Sequence, residues 1–280
     1  MEIATLENCT IADIADVLNA SFSDYIVPLH LNIEQLEYKI VTENIHLDLS
    51  VGVFSSGQLV GFMLHALQIV DGKLSAYNAA TGIIPAYRGR GLVGKMYQYL
   101  LPKLKTRAVV QMRLEVIIGN NAAIRAYEKM GYQVNRTLDC FKGSVQTVKK
   151  SCASTIRELQ DFQWDQFVCF WTIKPSWQNA ITTLEKAGPH LTILGAFIDE
   201  KLIGYLIYNA NSKKIQQIAI SPAHRRKGIA TQLVMTMTQQ INSKEIYVLN
   251  VDHISLEAIS FFKQLGLVDY LAQFEMKKIL

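Results

Sequence analysis

One pattern occurs twice in this chain. Pro85-Ala86-Tyr87-Arg88-Gly89-Arg90-Gly91-Leu92-Val93-Gly94 is echoed by Pro222-Ala223-His224-Arg225-Arg226-Lys227-Gly228-Ile229-Ala230. Each copy follows an apolar run with strand character (Thr81 to Ile84; Ile215 to Ile220). Each precedes apolar residues at helical spacing, Leu92, Met96 and Leu100 in one and Ile229, Leu233, Met237 and Ile241 in the other. The predicted order is strand, turn, helix. A helix start leaves its first N–H groups without intrahelical partners and carries a partial positive charge, while glycines let a ligand approach the backbone. Flanking arginines add charge-assisted bonds. Both turns are therefore expected to hold a phosphate group. Gly89, Gly91 and Gly94 also fit G-x-G-x-x-G, but no Walker lysine is present, and the pattern common to both copies is Arg-x-x-Gly-x-(small or Val) after a proline.

The repeat extends beyond the loops. Gly91 and Gly228 are 137 positions apart (228 − 91), and the glycines that end the next predicted helix, Gly131 and Gly266, are 135 apart (266 − 131). Two homologous folds are expected, and 280 residues suit two domains of ordinary size. The expected division is 1–148 and 152–280, with Lys149-Lys150-Ser151 as linker. With 50% hydrophobic and 19% charged residues, disorder is excluded on composition. The start of the chain shows no basic stretch leading into an apolar one, and no run approaches a membrane span, so a cytoplasmic protein without membrane contact is expected. Cys9, Cys140, Cys152 and Cys169 show no C-x-x-C spacing, which fits a reducing compartment and gives no zinc site or disulfide framework. A net charge of +4 favours an anionic ligand. It is too small to argue for nucleic acid, and Arg225-Arg226-Lys227 has no interleaved aromatics.

Taken in order, Thr10 is the expected N-cap of a helix with Ile14, Val17, Leu18 and Phe22 on one face, broken at Pro28. A second helix is expected from Asn32 to Glu43. Leu49 to Phe54 and Leu59 to Ile69 form a hairpin through Ser55-Ser56-Gly57, and Lys73 to Ile84 leads to the first loop. His65, in this sheet, is either a structural or a catalytic histidine. The loop helix is expected to reach about Lys105, with Pro102 at its fraying end. Val109 to Ile118 is the next strand, Ala122 to Met130 a helix stopped by Gly131, and Gln133 to Val148 the last strands of the first half. In the second half a capped helix is expected from Ser176 to Lys186, then strands Leu191 to Ile198, Leu202 to Tyr208 and Ile215 to Ile220. After the second loop and its helix come strand Ile246 to Val251, helix Leu256 to Leu265 and a closing strand to Leu280.

The loops resemble the acetyl-CoA pyrophosphate loop of the GNAT acyltransferase superfamily, [RQ]-x-x-G-x-[GA]. Arg225, Gly228 and Ala230 match throughout; Arg88 and Gly91 match, with Val93 where the family has Gly or Ala. Leu114-Glu115-Val116 through Asn120, Ala123-Ile124, Tyr127 and Gly131-Tyr132 resembles the family signature L-E-V-x-x-x-N-x-x-A-I-x-x-Y-x-x-x-G-[FY], in particular as found in N-terminal-amine acetyltransferases of the ribosomal-protein type. The resemblance implies two tandem α/β (α+β) domains, each a mixed, mostly antiparallel, splayed sheet flanked by helices. It implies acetyl-CoA or another acyl-CoA as co-substrate, held by Ile83, Arg88, Gly89, Arg90, Gly91, Leu92, Val93, Gly94 and Asn120 in one half. In the other half the corresponding residues are Ile220, Arg225, Arg226, Lys227, Gly228, Ile229 and Ala230. It implies Glu115 as general base and Tyr127 as general acid in direct attack by a primary amine of a small molecule or peptide, with no metal. The connection between the first two helices lines the acceptor pocket in this family, so Asp24 and Tyr25 become substrate candidates; the alternative is a solvated Asp and a packed Tyr at a helix end.

Aligning the halves sets Asn250 against Glu115, Ser255 against Asn120 and Phe262 against Tyr127. The second half thus lacks both proposed proton carriers while keeping the fuller loop. Two functions are open: an N-acyltransferase with its chemistry in the first half, or a CoA-binding sensor or scaffold without turnover. Asp252 or His253 would be the substitute base if the second half were the catalyst.

Overall fold

The computed structural model describes residues 1–27, 29–146 and 154–280, so the expected linker at 149–151 lies outside the described residues. The chain divides into two compact units, one of residues 1–135 and 274–280, the other of residues 136–273.

The first unit begins with strand β1 (Glu2–Thr5), helix α1 (Ile11–Phe22) and helix α2 (Ile33–Thr42). Both helices start where the sequence places their caps. Thr10 Oγ1 accepts from the Asp13 N–H at 3.1 Å while Asp13 bonds back to the Thr10 N–H, and Asn32 and Gln35 repeat the reciprocal arrangement. Ile14 and Leu18 of α1 are fully buried, each contributing about 1.5–3 kcal/mol relative to exposure. Strands β2 (Val51–Ser55), β3 (Gln58–Val70) and β4 (Lys73–Ile83) form an antiparallel meander, and β1 pairs with β2. Helix α3 (Leu92–Thr106) follows the first loop and strand β5 (Gln111–Ile117) pairs parallel to β4. Pro102 lies inside α3, which continues past it to Thr106 rather than fraying there. Helix α4 (Asn121–Lys129) completes the run. Met96, Leu100, Leu104, Met112 and Met276 are the deeply buried centre of the core under α3.

Strand β6 (Gln133–Ser144) begins in the first unit and continues in the second from Arg136. In the second unit come strand β7 (Thr155–Leu159), the short helices α5 (Trp164–Phe167) and α6 (Ile181–Ala187), and strands β8 (Thr192–Ile198), β9 (Lys201–Asn209) and β10 (Lys214–Ile220). Helix α7 (Ile229–Gln240), strand β11 (Glu245–Asp252), helix α8 (Leu256–Gln264) and strand β12 (Val268–Ile279) complete it, β12 ending in the first unit from Phe274. β7 through β10 form an antiparallel meander, β11 pairs parallel to β10, and β6 pairs antiparallel to β11. The helix expected over 176–186 is two pieces: a 3-10 turn at Trp177–Asn179 and then α6, because Ala180 is extended (φ −71, ψ 156). Both β1 and β7, which the pattern did not reveal, are short edge strands of four and five residues.

The halves share two local devices. In β4, Ala79 is an extra residue between Asn78, opposite His65, and Ala80, opposite Leu64. In β10, Gln216 is extra between Ile215, opposite Tyr208, and Gln217, opposite Ile207. Such bulges bend a strand and re-aim its side chains. Beyond each bulge the parallel pairing stops: β4 and β5 are in register from Ser75↔Gln111 to Asn78↔Leu114, and β10 and β11 only at Lys214↔Tyr247 and Ile215↔Val248. The paired strands therefore part beyond each bulge, ahead of the loop.

Candidate functional site

Each loop ends on a left-handed glycine that serves as N-cap of the following helix, Gly91 (φ 69) before α3 and Gly228 (φ 85) before α7. A side chain at that φ is strained, which explains the shared glycine. A Cβ at Gly89, Gly91 or Gly94 would meet nothing within 4 Å, so the backbone there is open to a ligand. The first N–H groups of α3 and α7 are without intrahelical partners at these loops. This fits the phosphates of an acyl-CoA. Val93 is part-buried and its side chain packs on the core under α3.

The leading arginines do a different job from the one their charge suggests. Arg88 Nε donates to the Ile83 carbonyl at 3.0 Å and its Nη2 to the Ser21 carbonyl at 2.9 Å. Both Nη atoms also donate to Asp24 at 2.7 Å, a fork-to-fork pair. Arg225 repeats this, with Nε on the Ile220 carbonyl at 3.1 Å and Nη2 on the Phe170 carbonyl at 3.0 Å. Arg88 ties its loop to the end of β4, to the last turn of α1 and to Asp24 just beyond it, and Arg225 ties its loop to the end of β10 and to Phe170. Asp24, expected to face a substrate, faces Arg88, whose bond holds its carboxyl below the usual range. Arg90 donates to the Ala86 carbonyl at 3.0 Å and Lys227 to the Ala223 carbonyl at 3.1 Å, so the third loop position also folds back on the loop.

In the first unit the remaining candidates gather at the opening between β4 and β5. The Tyr127 hydroxyl is enclosed beside Thr81 and Asn78 of β4, whose side chains bond each other at 2.8 and 2.9 Å; burial pushes it up to about 12, with Tyr25 adding to the rise. It is a protonated phenol at neutral pH. Asn120 caps α4 by accepting from the Ala123 N–H at 3.2 Å, and its Nδ2 donates to the Tyr25 hydroxyl at 3.2 Å. Tyr25 is further held edge-to-face on Phe22, ring centroids 5.0 Å apart. Glu115 stands one residue past the last parallel pair of β5 and hydrogen-bonds to Tyr77 of β4. Burial first, then the Glu115, Glu43 and Glu275 carboxylates, push the Tyr77 hydroxyl well above its usual range. The structure thus brings together Tyr25, Asn120 and Tyr127, and separately Glu115 with Tyr77. Tyr77, Asn78 and Thr81 were not foreseen; the signal was the pair Tyr77-Asn78 set between Ala76 and Ala79. His65 is fully buried in β3 and burial lowers its ring to about 3, which makes it a neutral core residue.

The second unit differs at each of these points. Asn250, in the place of Glu115, adopts φ 63 and bonds at both ends: Nδ2 donates to Ser176 Oγ at 3.2 Å and Oδ1 accepts from Gln273 at 2.7 Å. Phe262, in the place of Tyr127, is 2% exposed and packs against Phe141. Asp252 is committed to Arg136 at 3.1 Å, and His253 is an exposed partner of Asp139 at 2.8 Å. A cavity of about 330 Å³ opens here, running from Arg225, Arg226, Gly228, Ile229 and Ala230 past Ile220 to Phe170, Trp171, Tyr205, Gln217 and Asn250. Its far wall is a neutral hydrogen-bonded chain: Trp171 Nε1 donates to the Tyr205 hydroxyl, which donates to Gln217 Oε1, whose Nε2 donates to the Asn179 carbonyl, each at 2.6 Å.

No described helix is long and apolar enough to cross a membrane. The sequence profile of the acetyltransferase (GNAT) family matches residues 13–132 and again 156–267. The spermine/spermidine N(1)-acetyltransferase of Bacillus subtilis is 31% identical over 137 residues, 45% of this chain and 90% of that protein. The [ribosomal protein bS18]-alanine N-acetyltransferase of Salmonella typhimurium is 37% identical over 65 residues, 23% of this chain, and the match spans only 43% of that protein's length. Among solved structures, a tandem GNAT protein from the clavulanic acid biosynthesis pathway superposes with TM-score 0.75 at 14% identity, covering 99% of this chain and 98% of that one, a likeness of fold. A GCN5-related N-acetyltransferase from Sphaerobacter thermophilus gives 0.73 at 15% identity, covering 99% and 95%. Two loop-bearing, splayed-sheet units, each matched by the profile, make this chain a member of the GNAT acetyltransferase family.

Proposed function

We propose that the first unit transfers an acetyl group from acetyl-CoA to a primary amine by direct attack. The observation that carries this reading is the enclosed, protonated Tyr127 hydroxyl beside Thr81 and Asn78 of β4, with Glu115 one residue past the last β4–β5 pair. An amine arrives as an ammonium ion, and Glu115, directly or through water, takes its proton. The co-substrate supplies the acyl group and a thiolate leaving group. Tyr127 returns a proton to that sulfur, with the Asn78–Thr81 pair beside its hydroxyl. Leu92, Val93 and Gly94 at the start of α3 offer backbone N–H groups to the phosphates, while Arg88 and Asp24 hold the loop in shape. Tyr25, fixed by Asn120, lies on the acceptor side. The polyamine and N-terminal-alanine activities named for the relatives make linear polyamines and peptide α-amines the acceptors to try first.

A second reading applies to the other unit, favoured by its cavity: it binds acyl-CoA without turning it over, since Asn250 and Phe262 carry no transferable proton. The test of the main reading is thiol release with spermidine, short peptides and small amines across pH. Glu115→Gln is expected to raise the pH needed for activity, and Tyr127→Phe to lower kcat about 10²-fold with little change in CoA affinity. Wild-type rates in both variants would move the chemistry elsewhere.

A further inference from the structure

Arg113 stands two residues before Glu115 on β5, so the two side chains lie on one face about 7 Å apart along the strand. An arginine so placed is a natural partner for a carboxylate. The structure gives it another. Arg113 Nη1 bonds Glu275 Oε1 at 3.3 Å, and Asn135 Nδ2 donates to the same oxygen at 2.6 Å. Glu275 is 3% exposed. It is carried into the first unit by residues 274–280, whose Met276 is fully buried in that unit's core.

We propose that Glu275 is a positioning residue for the first site: it holds the Arg113 guanidinium away from Glu115 and so keeps Glu115 able to accept a proton. The inference rests on the assignment of Glu115 as general base. Glu115 bonds Tyr77 on β4, which also feels Glu43, at the end of α2 with its partner Lys39 at 2.6 Å, and Glu275 on β12; Arg113, two residues before Glu115 on β5, meets Glu275 at 3.3 Å and Asp71 at 4.0 Å. On β5 itself, Arg113 is the cation on the strand face of Glu115. Glu275 acts in two ways with one sign. Its own negative charge disfavours ionised Glu115, and its grip on Arg113 prevents a positive charge from favouring it. Removing Glu275 weakens the base on both counts.

The test uses the full-length chain and the pH dependence of kcat for acetyl transfer to spermidine. In Glu275→Gln the lower inflection is expected to move down by about one pH unit, with kcat reduced several-fold and CoA affinity unchanged. Glu275→Asp, which restores the charge, is expected to recover most of the shift. Arg113→Gln with Glu275→Gln should return the inflection toward its wild-type position, since no cation is left to be released; this double variant also serves if Glu275→Gln alone does not fold. A fall in kcat with the inflection unmoved in Glu275→Gln, or an inflection in the double variant that stays where the single variant put it, would overturn the proposal. Glu115→Gln separates the two ideas: if it keeps the wild-type inflection, the base assignment itself fails, whereas an inflection lost in Glu115→Gln but unmoved in Glu275→Gln defeats only the role of Glu275.

Discussion

Glu115 and Asn250 occupy matching places one strand after the loop helix, yet their surroundings differ in kind. Glu115 bonds a phenol, Tyr77, that also feels two further carboxylates, and it shares its strand face with an arginine, a set whose protonation matters. Around Asn250 the neighbours are Ser176, Gln273 and Cys140, all neutral, and the backbone is turned to φ 63. The same contrast holds for Tyr127 against Phe262. What both halves keep is the left-handed glycine, the arginine staple and the strand bulge. Loop and bulge are backbone features that define where an extended anionic ligand lies; proton carriers are side-chain features that can be lost without disturbing the fold. The comparison teaches that binding geometry and acid–base chemistry are separable in this architecture.

The largest expected effect concerns independence of the halves. A chain that ends near Lys150 lacks residues 274–280, and with them the fully buried Met276 and the Glu275 partner of the part-buried Arg113. Loss of the buried methionine costs about 1.5–3 kcal/mol. Stranding a largely buried arginine costs on the order of 3 kcal/mol. Together these are comparable to much of the 5–15 kcal/mol that roughly bounds a domain's stability. Such a chain is expected to show no cooperative thermal transition and no acetyl transfer, and residues 1–135 joined by a flexible linker to 274–280 should regain both. A cooperative, active chain ending at Lys150 would show that the first half needs nothing from the C-terminal segment.

Next in size is the loop of the second unit. Gly228→Val forces a β-branched residue to φ 85, and Ala230→Leu places bulk where the helix start meets the cavity. Calorimetry with CoA on the full chain is expected to lose one class of site in either variant, while amine acetylation stays within about twofold, because the proton carriers are in the other half. Unaltered binding would mean that the cavity takes a different ligand. Loss of turnover in step with binding would merge the two halves into one working site and erase the contrast.

Much of this was written locally and could be read. The two caps, the loop glycines, the ladder of apolar residues in α3 and α7 and the homology of the halves all depend on residues within a few positions of one another. What escaped depends on partners far apart. Asp24 and Arg88, 64 positions apart, looked like a substrate group and a phosphate group, and instead bond each other. Arg113 and Glu275 are separated by 162 positions, so neither announces the other. The division of the chain was expected between 148 and 152, with Lys149-Lys150-Ser151 read as a linker; the compact units are residues 1–135 with 274–280, and residues 136–273. Strand periodicity says that a strand exists and is silent on which sheet it joins. The cleft of the second unit was hidden for a similar reason, since Phe170, Trp171 and Asn179 come from the stretch least like the family pattern.

The smallest expected effect distinguishes the loops themselves. Gly89 (φ 75) and Arg226 (φ 61) hold the same left-handed position, so the second loop places a charged side chain where the first uses glycine. Left-handed backbone costs a residue with a Cβ about 1–2 kcal/mol, and glycine costs a little under 1 kcal/mol through the unfolded chain. Arg226→Gly is therefore expected to leave the thermal midpoint within a few degrees of wild type, while Gly89→Arg lowers it. The strain at Arg226 is retained for a reason if the guanidinium serves the cavity wall that it lines. Charge is what it offers there, so Arg226→Gly should weaken CoA binding to the second unit several-fold at low salt and much less near 1 M, where the Debye length falls to about 3 Å. A loss that is independent of salt would assign Arg226 a shape-determining role in the loop, and the two loops would then differ in backbone rather than in electrostatics.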